Sequence, residues 1–278
     1  MDAPSILCVQ THEAICPVTL RRLGRPILSL AALLLPVSVS ASPTEQEYIE
    51  LLRGSVTTYG GTAQEAMRHV IDGADRNDAA DQFRLGTALM RIKHHFAAIE
   101  VLTRATELAP GNATAFATLG ISYYATGNCD KAVPAFAKAV ELDPAGPRAG
   151  DSSRRIGSCL IYGKDYAGAE KRCAEAGRLL PSDPAPRLCL GHAQFGQARY
   201  AESLSTYLVA YRLSSGAYPP FPAEARSGVL ANLAKLNRLG EAADTLKLAP
   251  ASTYTPQFIE RLAANAVSKL ELGEKPQW

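Results

Sequence analysis

Five histidines and six cysteines are the residues with the most chemistry to offer in this 278-residue chain. His94 and His95 are adjacent, while His12, His69 and His192 stand far apart. A zinc site needs about four ligands converging on one point. Neighbours on a helix point about 100° apart, and no third ligand stands at a workable spacing, so the pair reads as a solvated turn. Neither a Gly-x-Ser-x-Gly elbow nor a His-Glu-x-x-His pair nor a glycine-rich phosphate loop occurs. The stretch LCLGHAQFG at 188–196 looks glycine-rich, but a repeat accounts for its Gly191. No metal, cofactor or catalytic residue is therefore expected, and an enzyme remains only as an alternative with an unrecognised site.

Apolar residues make up 47% of the chain, enough to bury a core. Lysine and arginine number 29 against 27 acids, without the clustered basic excess that a nucleic-acid partner requires. Alanine is abundant and β-branched runs are few, which favours helix.

Residues 1–41 read as a leader. Arg21, Arg22 and Arg25 precede the apolar run PILSLAALLLPVSV at 26–39, and small residues follow at 39–41. Basic, apolar and small segments in that order predict a secretory signal cleaved after Ala41. Residues 1–20 lack this pattern and read as a misassigned start. The apolar run is short for a membrane span and is broken by Pro36. An uncleaved anchor is the alternative. The expected location is periplasmic or secreted, with no stable membrane span after cleavage. Four cysteines then remain, Cys129, Cys159, Cys173 and Cys189. An even number in an exported chain permits disulfides.

The strongest signal is a repeat. In FATLGISYYATGNCDKAVPAFAKAVELDP (116–144), Gly120, Ala132 and Ala139 alternate with Phe116, Leu119, Tyr123 and Phe136. Shifted 34 residues towards the N-terminus, Leu85, Gly86, Leu89, Ala98, Ala105 and Pro110 fill matching places. Shifted 37 the other way, Ile156, Gly157, Leu160, Ala169, Cys173, Ala176 and Pro181 do so. A further 34 brings Leu190, Gly191, Ser203, Tyr207 and Ala210. Small residues at fixed points mark close helix crossings, and proline ends the second helix of the first three copies, a signal that the fourth has lost.

This period and signature resemble the tetratricopeptide repeat family. The resemblance implies an all-α, right-handed superhelical solenoid of antiparallel helix pairs. The four copies span 79–112, 113–146, 150–183 and 184–215. Residues 42–78 read as a degenerate repeat or cap. Residues 216–278 read as a degenerate helix pair, with Gly228, Ala234 and Ala242 at close contacts, and a capping helix. In the family, ligand contacts come from the concave face. Carried over, those places hold Phe83, Thr87, Met90 and Arg91, then Thr114, Ala117, Ile121 and Tyr124. The third copy supplies Asp151, Arg154, Ser158, Ile161 and Tyr162, and the fourth Leu188, His192 and Phe195. The aromatics Phe83, Tyr124, Tyr162 and Phe195 are expected to line one open surface. The Lys and Asn clamp that one subfamily uses for acidic C-termini is absent, since Phe83, Thr87, Thr114 and Ala117 stand there.

Antiparallel stacking brings Cys173 level with Cys189, the favoured disulfide. Cys129 with Cys159, Cys159 with Cys173, and four free thiols stay open. The implied function is an exported scaffold that binds a protein or peptide partner in the cell envelope. Its alternative is an accessory subunit of a polysaccharide-export, pilus or outer-membrane machine.

Overall fold

A computed structural model of the chain describes residues 43–59, 61–214, 221–246 and 255–272. The expected leader lies outside them. Thirteen α-helices and no strand occur among the described residues. An N-terminal pair, α1 (Glu45–Tyr59) and α2 (Ala63–Gly73), comes first. Four regular pairs follow: α3 (Ala79–Arg91) with α4 (His95–Leu108), α5 (Ala113–Ala125) with α6 (Cys129–Leu142), α7 (Ala149–Tyr162) with α8 (Tyr166–Leu179), and α9 (Pro184–Gly196) with α10 (Tyr200–Leu213). The chain closes with α11 (Phe221–Lys235), α12 (Ala242–Thr245) and α13 (Pro256–Leu272). None of the described helices is long and apolar enough to cross a membrane.

Within each pair the first helix carries a socket and the second a knob. A Cβ on Gly86 would lie 2.6 Å from Leu102 Cγ, one on Gly120 2.7 Å from Phe136 Cδ1, and one on Gly191 2.8 Å from Tyr207 Cδ2. Real Cβ atoms do not approach so closely, so only glycine lets these side chains seat. The flanking Ala98, Ala132 and Ala169 are fully buried, and Ser203 at the same place donates its hydroxyl to the Gly191 carbonyl at 2.8 Å.

The third pair uses a different knob. Gly157 faces Cys173, and a Cβ there would meet the sulfurs of both Cys173 and Cys189, at 2.5 and 3.0 Å. The two cysteines are bonded, with Cα atoms 5.6 Å apart. A small thiol leaves room that a second sulfur from α9 fills, so the disulfide occupies the volume that a phenyl or isobutyl group takes elsewhere. Cys129 and Cys159 are bonded as well, Cα to Cα 5.5 Å, tying α6 to α7. With separations of 30 and 16 residues, chain-entropy arguments give about 3–4 kcal/mol for each.

The turn inside every regular pair is the same, and it recurs after α11. Lys93, Gly127, Lys164, Ala198 and Asn237 all have positive φ, between 57° and 83°. In each turn this residue's N–H bonds back three residues and the next N–H bonds back five, as with Lys93 to Met90 and His94 to Leu89. This is the Schellman closure of a helix end. Its recurrence at Asn237 marks α11 as the first helix of a fifth pair. The expected partner helix is corrected: after a 3₁₀ turn at Leu239–Glu241, α12 runs only from Ala242 to Thr245.

The N-terminal pair departs from repeat geometry. In the regular pairs the second helix covers the next first helix, but here α1 packs on both α2 and α3. Tyr48 is buried and donates to Asp81 Oδ1 at 2.8 Å, while Asp81 Oδ2 accepts from the Asp75 N–H at 2.9 Å. These bonds fix a cap on α3.

Two substitutions test this packing in thermal melts. Gly120→Leu is expected to cost about 1–3 kcal/mol or more by overpacking against Phe136; an unchanged midpoint would mean that the socket is misassigned. Ala198→Gly is expected to raise stability by up to about 1 kcal/mol, because it relieves a side chain held in the left-handed region.

Candidate functional site

First helices of neighbouring pairs touch one another, α3 with α5, α5 with α7, α7 with α9 and α9 with α11, while second helices lie farther apart. The stack therefore curves with its first helices on the inside. That inner face is the candidate site.

At the N-terminal end, Phe83 and Met90 are half-buried against the core that α1, α2 and α4 share with α3. Thr87 is half-buried and donates to the Phe83 carbonyl at 2.8 Å. Arg91 is exposed and paired with Glu45 of α1 at 2.6 Å. Ile121 is half-buried beside Tyr124 and Phe136.

The middle of the face carries a charge network on α5 and α7. Asp151 accepts from Arg154 at 2.7 Å and from Arg155 at 2.8 Å. Burial pushes the Asp151 carboxyl upwards, but Arg155 and Arg154 outweigh it and hold the group below the usual carboxylate range. Arg155 lies over the Tyr124 ring, 5.3 Å from its centroid. Tyr124 is itself buried, which raises its phenol above the ordinary value. Arg154 is only 5% exposed, and the charge of Glu224, from α11, is felt against it. The Glu224 Oε2 atom is buried with no hydrogen-bond partner. Burial raises its carboxyl to about 7, and Arg154 offsets only part of that.

At the C-terminal end the face is closed by the chain itself. Leu188, His192 and Phe195 are all buried. His192 Nε2 lies 3.1 Å from the Leu270 carbonyl of α13. Phe195 packs with Ala231 of α11 and with Ala266, Val267 and Leu270 of α13. Leu188 belongs to the cluster that includes Ile259 and Ala263. Burial lowers the His192 pKa, with the Leu270 bond opposing it.

The expectation of four aromatics on one open surface is thus corrected. Tyr124 and Phe195 are core, Phe83 is half-buried and only Tyr162 stands out, 57% exposed. Arg154, Leu188 and His192 are core as well, for the reasons just given. Two features were missed: α13 lies on the inner face instead of extending the stack, and Glu224 of the fifth pair comes close enough to Arg154 for its charge to be felt. The stripe Ile259, Ala263, Ala266 signals that α13 has a buried side. Nothing in it says which surface receives that side. His94 is exposed and His95 half-buried, and among the described residues no group of three or more His, Cys, Asp or Glu could hold a metal ion.

Comparison with known proteins agrees with this geometry. Residues 113–145 match the family model described as tetratricopeptide repeat. The chain therefore carries a tetratricopeptide repeat and has the fold of a tetratricopeptide-repeat solenoid. Similar solved structures include YrrB, described as a TPR protein with an unusual peptide-binding site, at 20% identity and TM-score 0.53, covering 74% of this chain and 97% of that one. PilF of Pseudomonas aeruginosa is similar at 18% identity and TM-score 0.55, covering 79% and 97%. MamA (41-end) from Desulfovibrio magneticus RS-1 is similar at 18% and 0.55, covering 67% and 96%. At these identities the likeness is one of fold. No curated protein sequence matches the chain.

Glu224 and His192 give this tetratricopeptide-repeat fold opposite acid responses. Glu224 has a folded pKa raised from 4.5 to about 7, so the native state holds a proton that the unfolded chain releases, and stability falls as pH rises through that window. His192 is lowered from 6.5, so its contribution is present above that value and lost as pH falls through the depressed folded pKa. Melts of Glu224→Gln across this range are expected to lose the Glu224 slope and keep the His192 one. Identical pH profiles for the variant and the wild type would contradict the Glu224 assignment.

Proposed function

We propose that this protein is an exported scaffold that holds a protein or peptide partner on the inner face of its solenoid, within bacterial envelope assembly. The observation that carries the reading is the network on α5 and α7. There Asp151 locks two arginines, and one of them is stacked on Tyr124. Aromatic and arginine side chains fixed in one arrangement lose little entropy on binding, and such residues dominate interface energetics. Half-buried Ile121 lies beside Tyr124, Thr87 is half-buried on α3, and Tyr162 offers an exposed ring at the end of α7. YrrB gives a precedent for peptide binding within the same fold.

Export is supported by two independent features. The first is the leader pattern at residues 21–41. The second is a pair of disulfides between successive helix pairs, bonds that persist in oxidising compartments.

The tests are separable. Crosslinking in an envelope fraction should capture a partner. Arg155→Ala and Tyr162→Ala should each weaken that capture about tenfold, and Tyr162→Ala, which removes an exposed ring, should leave the melt nearly unchanged. Undiminished capture by both variants would rule out this face. N-terminal sequencing should begin at Ser42, and thiol titration of the unfolded, unreduced protein should find no free thiol in the mature chain. A chain that retains Arg21 and four free thiols would overturn export.

A further inference from the structure

Three features make α13 unlike the rest of the solenoid. It lies across the inner side of α9 and α11, the surface that elsewhere in the stack faces the groove. It is thinly held. Of its 17 residues Ile259, Ala263 and Ala266 are buried, a smaller share than the four of 14 in α8 and in α10 or the ten of 13 in α9. And its seat is incomplete: an open cleft of about 490 Å³ runs between its C-terminal half and α11, beside Ala264 and Val267. Among the described residues, the polar bonds across the joint are one from His192 to the Leu270 carbonyl and an ion pair between Lys235 and Glu271. Segments with few buried contacts open at much lower free energy than the body of a fold.

We propose that the inner face of α9 and α11 is a helix-binding groove occupied in this state by the chain's own α13, and that an amphipathic helix of the partner exchanges with it. This rests on the reading of the inner face as the binding surface. The occupied state specifies the incoming helix. Ala263 and Ala266 meet a surface that includes Ala231 of α11 and Phe195 of α9. Small residues must therefore stand at the crossing, with larger apolar groups on either side, as Ile259 and Leu270 stand in α13. The groove offers His192 to a carbonyl in the last turn of the helix, where intrahelical partners run out. A bulky or charged residue at the crossing excludes a competitor.

The probe is a fluorescent peptide of residues 255–272, titrated against the full chain and followed by anisotropy. Wild type should bind it weakly, because the tethered copy competes at high effective concentration. Ala266→Arg, which should dislodge the tethered helix, is expected to bind it at least tenfold tighter, and adding Phe195→Ala should reverse that gain. A folded Ala266→Arg variant that binds no peptide overturns the proposal. If that variant does not fold, hydrogen exchange on the wild type decides: α13 amides should exchange well before those of α9, and equal protection overturns the proposal. A wild-type dimer that grows with concentration and dissociates on adding the peptide would give the groove to a second copy and overturn the partner assignment. Partner capture through Arg155 and Tyr162 is read out separately, so either idea can fail alone.

Discussion

A glycine in the first helix of each regular pair receives one side chain from its partner, and the geometry of the whole stack depends on that contact. Gly86, Gly120 and Gly191 set how closely two helices approach, because the knob against each leaves no room for a methyl group. The same knob faces the next pair: Tyr207 is lodged between Gly191 and Gly228 of α11. One side chain thus sets both the spacing inside a pair and the spacing to its neighbour. That is how a local rule propagates into a superhelix without long-range sequence contacts. The third pair obeys the same constraint with different atoms. Its knob is a disulfide, and it differs from a phenyl ring in being covalently shared with the following helix.

Close crossings have a consequence on the inside of the curve. First helices touch one another, and side chains at several of the expected ligand positions, Tyr124, Arg154, Leu188, His192 and Phe195, are drawn into the core. Arg154 is the clearest case. It is buried, yet its charge is kept because Asp151 accepts from it and from Arg155 together. Removing Asp151 alone would leave two arginines without their acceptor, which costs far more than the network contributes over an apolar packing. Glu224 is the opposite case, a carboxyl whose Oε2 atom is buried without a hydrogen bond, and burial accordingly favours its neutral form.

Much of the repeat was legible in the sequence because glycine, alanine and proline each answer to a steric demand that few other residues meet. The αL position of the turns was not. It admits glycine at 127, but lysine at 93 and 164 and alanine at 198 tolerate the same backbone at a cost, so the residue types hide the shared geometry. Burial of Tyr124, His192 and Phe195 was also hidden. Their register on the inner face follows from the repeat, but whether an inner-face residue is open depends on what crosses it. For the fourth pair the cover is α13, more than 60 residues along the chain. Its amphipathic stripe declares a buried side without an address.

The distribution of covalent ties then bears on where the molecule yields. Cys129–Cys159 joins the second pair to the third, and Cys173–Cys189 joins the third to the fourth. Together they bracket α7 and α8, the stretch that also carries Asp151, Arg154 and Arg155. No such tie reaches α11, α12 or α13, and there the regular pairing fails as well, since α12 is a single turn. Opening free energy should therefore fall from the stapled centre towards the C-terminal end. The proposed anchors on α5 and α7 would sit where the scaffold is stiffest, and the proposed self-occupied groove where it is softest. A partner that engaged both would meet a preformed surface first and a displaceable helix second. In that order the rigid contact positions the partner before the exchange with α13 has to occur.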